Sequence, residues 1–153
     1  MQDDFYALAD VIGNRLQSNE VYLCEFTAEQ SDFIRFSQGK VRQPGSVEQR
    51  YLDIELIKGN RHTAGQLTLG GDTNSDQERV TNLLLALREQ LHHVPDDPYL
   101  LYATKVQSTE DIGTNQLPSA NEALNDILEA SQSHDFVGIY AAGGIFTGFA
   151  NSL

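Results

Sequence analysis

The residues able to do chemistry in this sequence are four histidines and a single cysteine, and their spacing limits what that chemistry is. His62 follows a Gly59-Asn60 pair, on a segment whose other face carries leucines. No Asp, Glu or Cys stands beside it at metal-ligand spacing, so it reads as a solvent-facing strand histidine in preference to a ligand or a base. His92 and His93 are adjacent, and neighbouring residues on a helix point in different directions. They would need ligands from elsewhere to hold a metal, and a favourable interaction with a helix C-terminus accounts for them more simply. His134 follows another helical segment and has the same account. None of the four forms His-Glu-x-x-His or any other zinc pattern. Cys24 falls on the inward face of a predicted strand. A nucleophile there needs a histidine partner and basic surroundings, and a small buried hydrophobe is the simpler reading. The sequence therefore assigns no catalytic residue and no metal ligand.

Two further patterns bear on ligands. Gly138-x-x-x-x-Gly143 is half of a phosphate-binding loop, but Gly144-Ile145 stands where Lys-Ser/Thr should contact phosphate. Gly143-Gly144 does not open a helix, as a dinucleotide fingerprint must. These glycines are turn residues, or they let another backbone come close. The second pattern is a run of basic residues: Arg35, Lys40, Arg42, Arg50, Lys58 and Arg61, six of the ten Lys and Arg in the chain. Phe33, Phe36 and Tyr51 are interleaved with them, which makes a binding face. The competing account is a solvated outer sheet face with ion pairs to Asp32, Glu48, Asp53 and Glu55. Arg35, Lys40, Arg42 and Arg50 are the candidate binding residues of that face.

Composition narrows the partners. The 153 residues carry 22 acids against 10 bases, a net charge of −12. Nucleic-acid affinity rests on Lys and Arg neutralising phosphates, so a nucleic-acid partner is disfavoured. One cysteine permits no internal disulfide and suits a reducing compartment. The N-terminus lacks the basic and apolar regions of a secretory leader, and no stretch has the ~18 apolar residues of a membrane span. A cytoplasmic chain with no membrane partner is the expectation.

The elements that must position these residues follow from periodicity. Phe5, Leu8, Ala9, Ile12 and Leu16 form one helical stripe. Residues 21–28 alternate as a strand. Residues 31–72 read as four short β segments broken at 38–40, at Pro44-Gly45-Ser46 and at Gly59-Asn60. Ser75 and Glu78 have the form of a capping box ahead of Val80, Leu83, Leu84, Leu87 and Leu91. Residues 94–118 show no clear element, an unusual length for an irregular connection. Ser119 and Glu122 repeat the capping-box form before a third helix. Residues 135–142 and 145–150 read as a hairpin turned at Gly143-Gly144. These elements predict an α+β fold, a mainly antiparallel or mixed sheet with about three helices packed on one face. At this length residues 1–153 make a single domain. The chain ends at Leu153 inside strand-like sequence, which reads either as a complete chain or as a piece of a longer one.

Four motifs, taken together, resemble the N-terminal domain of the TldD/PmbA family, described as modulators of DNA gyrase and as zinc metallopeptidases. They are Phe33-Ile-Arg-Phe-Ser-Gln-Gly-Lys-Val-Arg-Gln43, Gly45-Ser-Val-Glu-Gln-Arg50, Gly59-Asn-Arg-His-Thr-Ala64 and Val137-Gly-Ile-Tyr-Ala-Ala-Gly-Gly-Ile-Phe-Thr-Gly-Phe-Ala-Asn-Ser152. The resemblance implies that residues 1–153 are the N-terminal domain of a longer two-domain protein. It implies a family zinc held by a His-Glu-x-x-x-His helix and a cysteine in a C-terminal domain, and no cofactor in this segment. Nothing here matches those ligands, and Cys24 does not hold the position of the family's ligand cysteine. Some family members lack the zinc motif and serve as the partner subunit. The function implied is non-catalytic: a homo- or heterodimer surface with a related subunit, and part of an enclosure for unfolded peptide. The alternative is a stand-alone protein- or peptide-binding scaffold.

Overall fold

Two strands of unusual length dominate the computed structural model, which describes all residues from Met1 to Leu153. The order is α1 (Gln2–Gly13), β1 (Glu20–Ser37), β2 (Lys40–Lys58), β3 (Arg61–Thr68), α2 (Thr73–Leu91), α3 (Ala120–Ala130) and β4 (Gly138–Asn151). The strands form one open antiparallel sheet in the order β3-β2-β1-β4, so the α+β expectation holds. No helix is long and apolar enough to cross a membrane.

Three expected breaks are absent. Residues 21–28 and 33–36 belong to one strand, β1, and β2 runs without interruption through Pro44 and Gly45. A proline lacks the N–H a central strand must donate, but β3 pairs only with residues 51–58 of β2. Pro44 therefore has an open side. Gly45 is needed for packing, because a Cβ there would lie 2.6 Å from the Phe33 ring. The third break, Gly143-Gly144, does not turn the chain: β4 is one strand and not a hairpin. A Cβ on Gly143 would stand 2.2 Å from the Gln30 carbonyl oxygen and 2.4 Å from the Ser31 Cα. That glycine serves the close approach of β1. The turns that do form are Gln38-Gly39, with φ of 55° and 66°, as a type I′ turn requires, and Gly59-Asn60, with positive φ at Gly59.

The chain divides into two compact units: Met1–Ala28, Gln49–Ser108 and Phe146–Leu153 make one, Glu29–Glu48 and Thr109–Ile145 the other. In the first, α1 and α2 pack on each other and α2 packs on β3. The core joins Phe5, Leu8 and Ile12 of α1, Cys24 and Phe26 of β1, Leu52, Ile54 and Leu56 of β2, and Val80, Leu84 and Leu87 of α2. Each buried Phe, Leu, Ile or Val side chain among them contributes about 1.5–3 kcal/mol by leaving water. Gly65 lets α2 come close, since a Cβ there would be 2.8 Å from Leu83, and Thr63 Oγ1 donates to the Leu87 carbonyl at 3.0 Å. The N-cap of α2 is Asp72, whose carboxylate accepts the Ser75 N–H; Ser75 itself lies inside the helix. Asp76 is buried and accepts the Gly70 and Gly71 N–H groups at 2.9 and 2.8 Å. It pins the turn between β3 and α2. At the other end, Arg88 holds the Glu20 carboxylate through Nε (2.8 Å) and Nη2 (2.9 Å).

In the second unit Ile34, Phe36 and Ala123 are buried and the Phe36 and Phe136 rings meet at 5.6 Å. The capping box of α3 forms as its sequence predicts, with Ser119 and Glu122 exchanging bonds. No helix or strand lies between Leu91 and Ala120.

Candidate functional site

The second unit holds a groove of about 310 Å³, within the range of ligand-binding clefts. Strand alternation builds its floor. Gln30 and Asp32 come from β1, Ser46 and Glu48 from β2, Tyr140 from β4, while Leu117 and Pro118 line it from the connection ahead of α3. Asp32 Oδ1 accepts the Ser46 hydroxyl at 2.5 Å. The lining mixes hydrogen-bonding groups with apolar side chains and contains no histidine or cysteine. That mixture suits the groove to binding. Tyr140 and Ala142 point toward the groove, whereas Ile139 and Ile145 of β4 are 69% and 75% exposed. Because β4 is an edge of the sheet, it presents unpaired backbone groups beside these isoleucines.

The four candidate basic residues do not form one cluster of contacts. Arg35 is exposed between buried Ile34 and Phe36, and Lys40 and Arg42 are exposed just past the β1–β2 turn. Arg42 Nη2 reaches Gln38 Oε1 at 3.3 Å. Arg50 belongs to the first unit. Its side chain is 19% exposed, with Nε 4.0 Å from Asp4 Oδ2, and it packs against Gly71, where a Cβ would be 2.1 Å from Nη1. Neither Arg35, Lys40, Arg42 nor Arg50 lines the groove. The groove residues escaped sequence reading because Asp32 and Glu48 carry no motif, and Leu117 and Pro118 are far away along the chain.

The reactive side chains are placed as follows. Cys24 is 1% exposed, and burial pushes its thiol up to about 12, so it is inert as a nucleophile at neutral pH. His134 Nδ1 donates to the Gln132 carbonyl at 2.9 Å. His62 is a strand histidine with its side chain 38% exposed, and two carboxylates flank it: Nδ1 lies 2.5 Å from Glu55 Oε1 and Nε2 3.3 Å from Asp97 Oδ2. Sequence spacing missed this because Glu55 arrives across the strand pair and Asp97 from the connection after α2. No three His, Cys, Asp or Glu side chains converge as a metal site.

No protein-family model matches the sequence, and no curated protein matches it. Solved structures do match. One is a Thermotoga maritima protein described as a candidate modulator of a DNA gyrase, with a TM-score of 0.63 and 12% identity over 97% of this chain and 35% of that one. Another is TldE from Thermococcus kodakarensis, with a TM-score of 0.61 and 9% identity over 95% of this chain and 37% of that one. The chain thus has the fold of a TldD/PmbA-like domain and spans about a third of the length of those proteins.

Proposed function

We propose that this chain is the non-catalytic N-terminal domain of a TldD/PmbA-like metallopeptidase, and that it holds extended polypeptide and contributes to a dimer with a related subunit. The observation that carries this reading is the fold: nearly the whole chain superposes on one third of each longer protein. The remaining two thirds of such a protein is then the place for the zinc and the peptide-bond chemistry. No step of hydrolysis runs through the residues present here. Polypeptide is held by adding as a strand to the free edge of β4, where main-chain bonds give affinity without sequence preference. The groove floor of Gln30, Asp32, Ser46, Glu48 and Tyr140 offers polar contacts next to that edge, and the exposed Arg35, Lys40 and Arg42 of the same unit supply further peptide contacts. The chain works in the cytoplasm.

The test is fluorescence anisotropy of a labelled, unstructured peptide titrated with purified 1–153, followed by mass analysis of the peptide after incubation with zinc. Saturable binding of an intact peptide is expected, weakened at least several-fold by Ile139→Asp and Ile145→Asp together. Cleavage abolished by a chelator would overturn the non-catalytic reading. Binding unchanged by the β4 pair would overturn the edge assignment.

A further inference from the structure

The strand pairing sets His62 opposite Ile57, on the face of the hairpin away from Leu56 and Thr63. Ile57 is 1% exposed although it lies outside the main core cluster, so something covers it there. The polypeptide bonded to that place is the connection after α2. Asp97 N–H donates to the Asn60 carbonyl at 2.7 Å, Arg61 Nε meets Asp96 Oδ1 at 2.7 Å, and Asp97 Oδ2 faces His62 Nε2. Tyr99 and Leu101, just beyond, are 89% and 92% exposed, while Val94 and Leu100 are half-buried, and the polar contacts at residues 96–97 fasten the strap beside His62.

We propose that residues 94–102 form a latch whose closure depends on the protonation of His62. A neutral imidazole donates from one nitrogen only, and the imidazolium donates from both. Here both ring nitrogens face carboxylate oxygens, Glu55 on one side and Asp97 on the other, and only the imidazolium satisfies the two at once. The charged groups around the ring are Glu55 and Lys58 of β2, Arg61 of β3, and Asp96 and Asp97 of the strap, with Lys58 paired in register with Arg61. Arg61 and Asp96 satisfy one another and Asp97 Oδ1 accepts the Tyr99 N–H at 2.8 Å, which leaves Glu55 Oε1 and Asp97 Oδ2 to the ring. When the proton leaves, the shorter Glu55 contact keeps the remaining N–H and the longer Asp97 contact loses its donor. The strap then loosens when the ring is neutral, uncovering Ile57 and the outer face of the hairpin. The Arg61–Asp96 pair keeps the strap tethered.

The experiment is two-dimensional amide NMR of the full chain between roughly pH 5 and pH 8, following the Asp97 and Asn60 amides and the His62 ring protons. Amide exchange is read as protection, which removes the intrinsic pH dependence. In the wild type, Asp97 protection should fall by up to about fivefold as the His62 ring titrates, the scale of a partly exposed ion pair. In His62→Gln the same amide should show protection that does not change with pH. Asp97→Asn, which keeps the backbone bond to Asn60, should remove the pH response while leaving core amides such as Leu84 protected as in wild type. A pH profile at Asp97 that survives in His62→Gln, or a His62 titration that leaves Asp97 unmoved, overturns the proposal.

Discussion

Removing the guanidinium from Arg88 should destabilise the chain more than any surface substitution, and in a pH-dependent way. Arg88 grips the Glu20 carboxylate through two bonds of 2.8 and 2.9 Å, and Nη2 also donates to the Arg15 carbonyl at 3.1 Å. Glu20 accepts the Gln17 N–H at 2.8 Å, so the pair ties the end of the α1 segment, the start of β1 and the last turn of α2. The Glu20 side chain is 0% exposed and that of Arg88 14%. Arg88→Met keeps the packing of the stem and leaves Glu20 a buried carboxylate with one donor. Breaking a buried pair on one side costs about 3–5 kcal/mol. Glu20 keeps the Gln17 bond and can escape by taking up a proton, which favours the lower end, about 3 kcal/mol. For a chain of this size that lowers Tm by roughly 6–12 °C, at about 2–4 °C per kcal/mol. The Arg88 hydrogen bond holds the Glu20 carboxyl below its ordinary value of 4.5, against the opposing effect of burial and with help from the Gln17 N–H. A carboxyl lowered in the folded state contributes stability that is present above the unfolded value and lost as pH falls through the folded one. The gap between wild type and Arg88→Met should therefore be full at neutral pH and shrink in the acid range below the ordinary carboxyl value. Circular-dichroism melts and urea titrations at neutral and acid pH measure it. A cost under about 1 kcal/mol at neutral pH, or an equal cost in acid, would refute the argument.

Two further outcomes follow from packing. Gly143→Val should cost about 1–3 kcal/mol or more by forcing β4 off β1, given a Cβ position 2.2 Å from the Gln30 carbonyl oxygen. Gly144→Ala, with nothing near its Cβ, should stay within about 0.5 kcal/mol in the same melts. Cys24, buried and with its thiol raised to about 12, should react with an aromatic disulfide reagent only when urea unfolds the chain. Rapid stoichiometric labelling of the native protein at mildly alkaline pH would contradict its placement.

Some features are written in short stretches of sequence and were legible there. The helix stripes of α1 and α2, the capping box at Ser119 and Glu122, the two-residue turn at Gly59-Asn60 and the inward face holding Tyr22, Cys24 and Phe26 depend on residues within a few positions of one another. So does the irregular character of the connection between Leu91 and Ala120. The α+β class follows from summing such local signals, and the motifs resembling TldD/PmbA proteins pointed to the fold that comparison with solved structures returned.

What sequence left undecided depends on neighbours far along the chain. Proline and glycine read as breaks at Pro44-Gly45 and Gly143-Gly144, yet an open strand side and the approach of the Phe33 ring and of the Gln30 carbonyl make them strand residues. The groove needed three strands and the residues just before α3 to meet. His62 reads as isolated because its carboxylates stand 7 and 35 positions away. Composition and periodicity are properties of a segment and fix which residues can pair or bury. Which of them do so is set by tertiary approach, and for this protein that approach decided the use of the glycines, the place of the groove and the partners of its one carboxylate-clasped histidine.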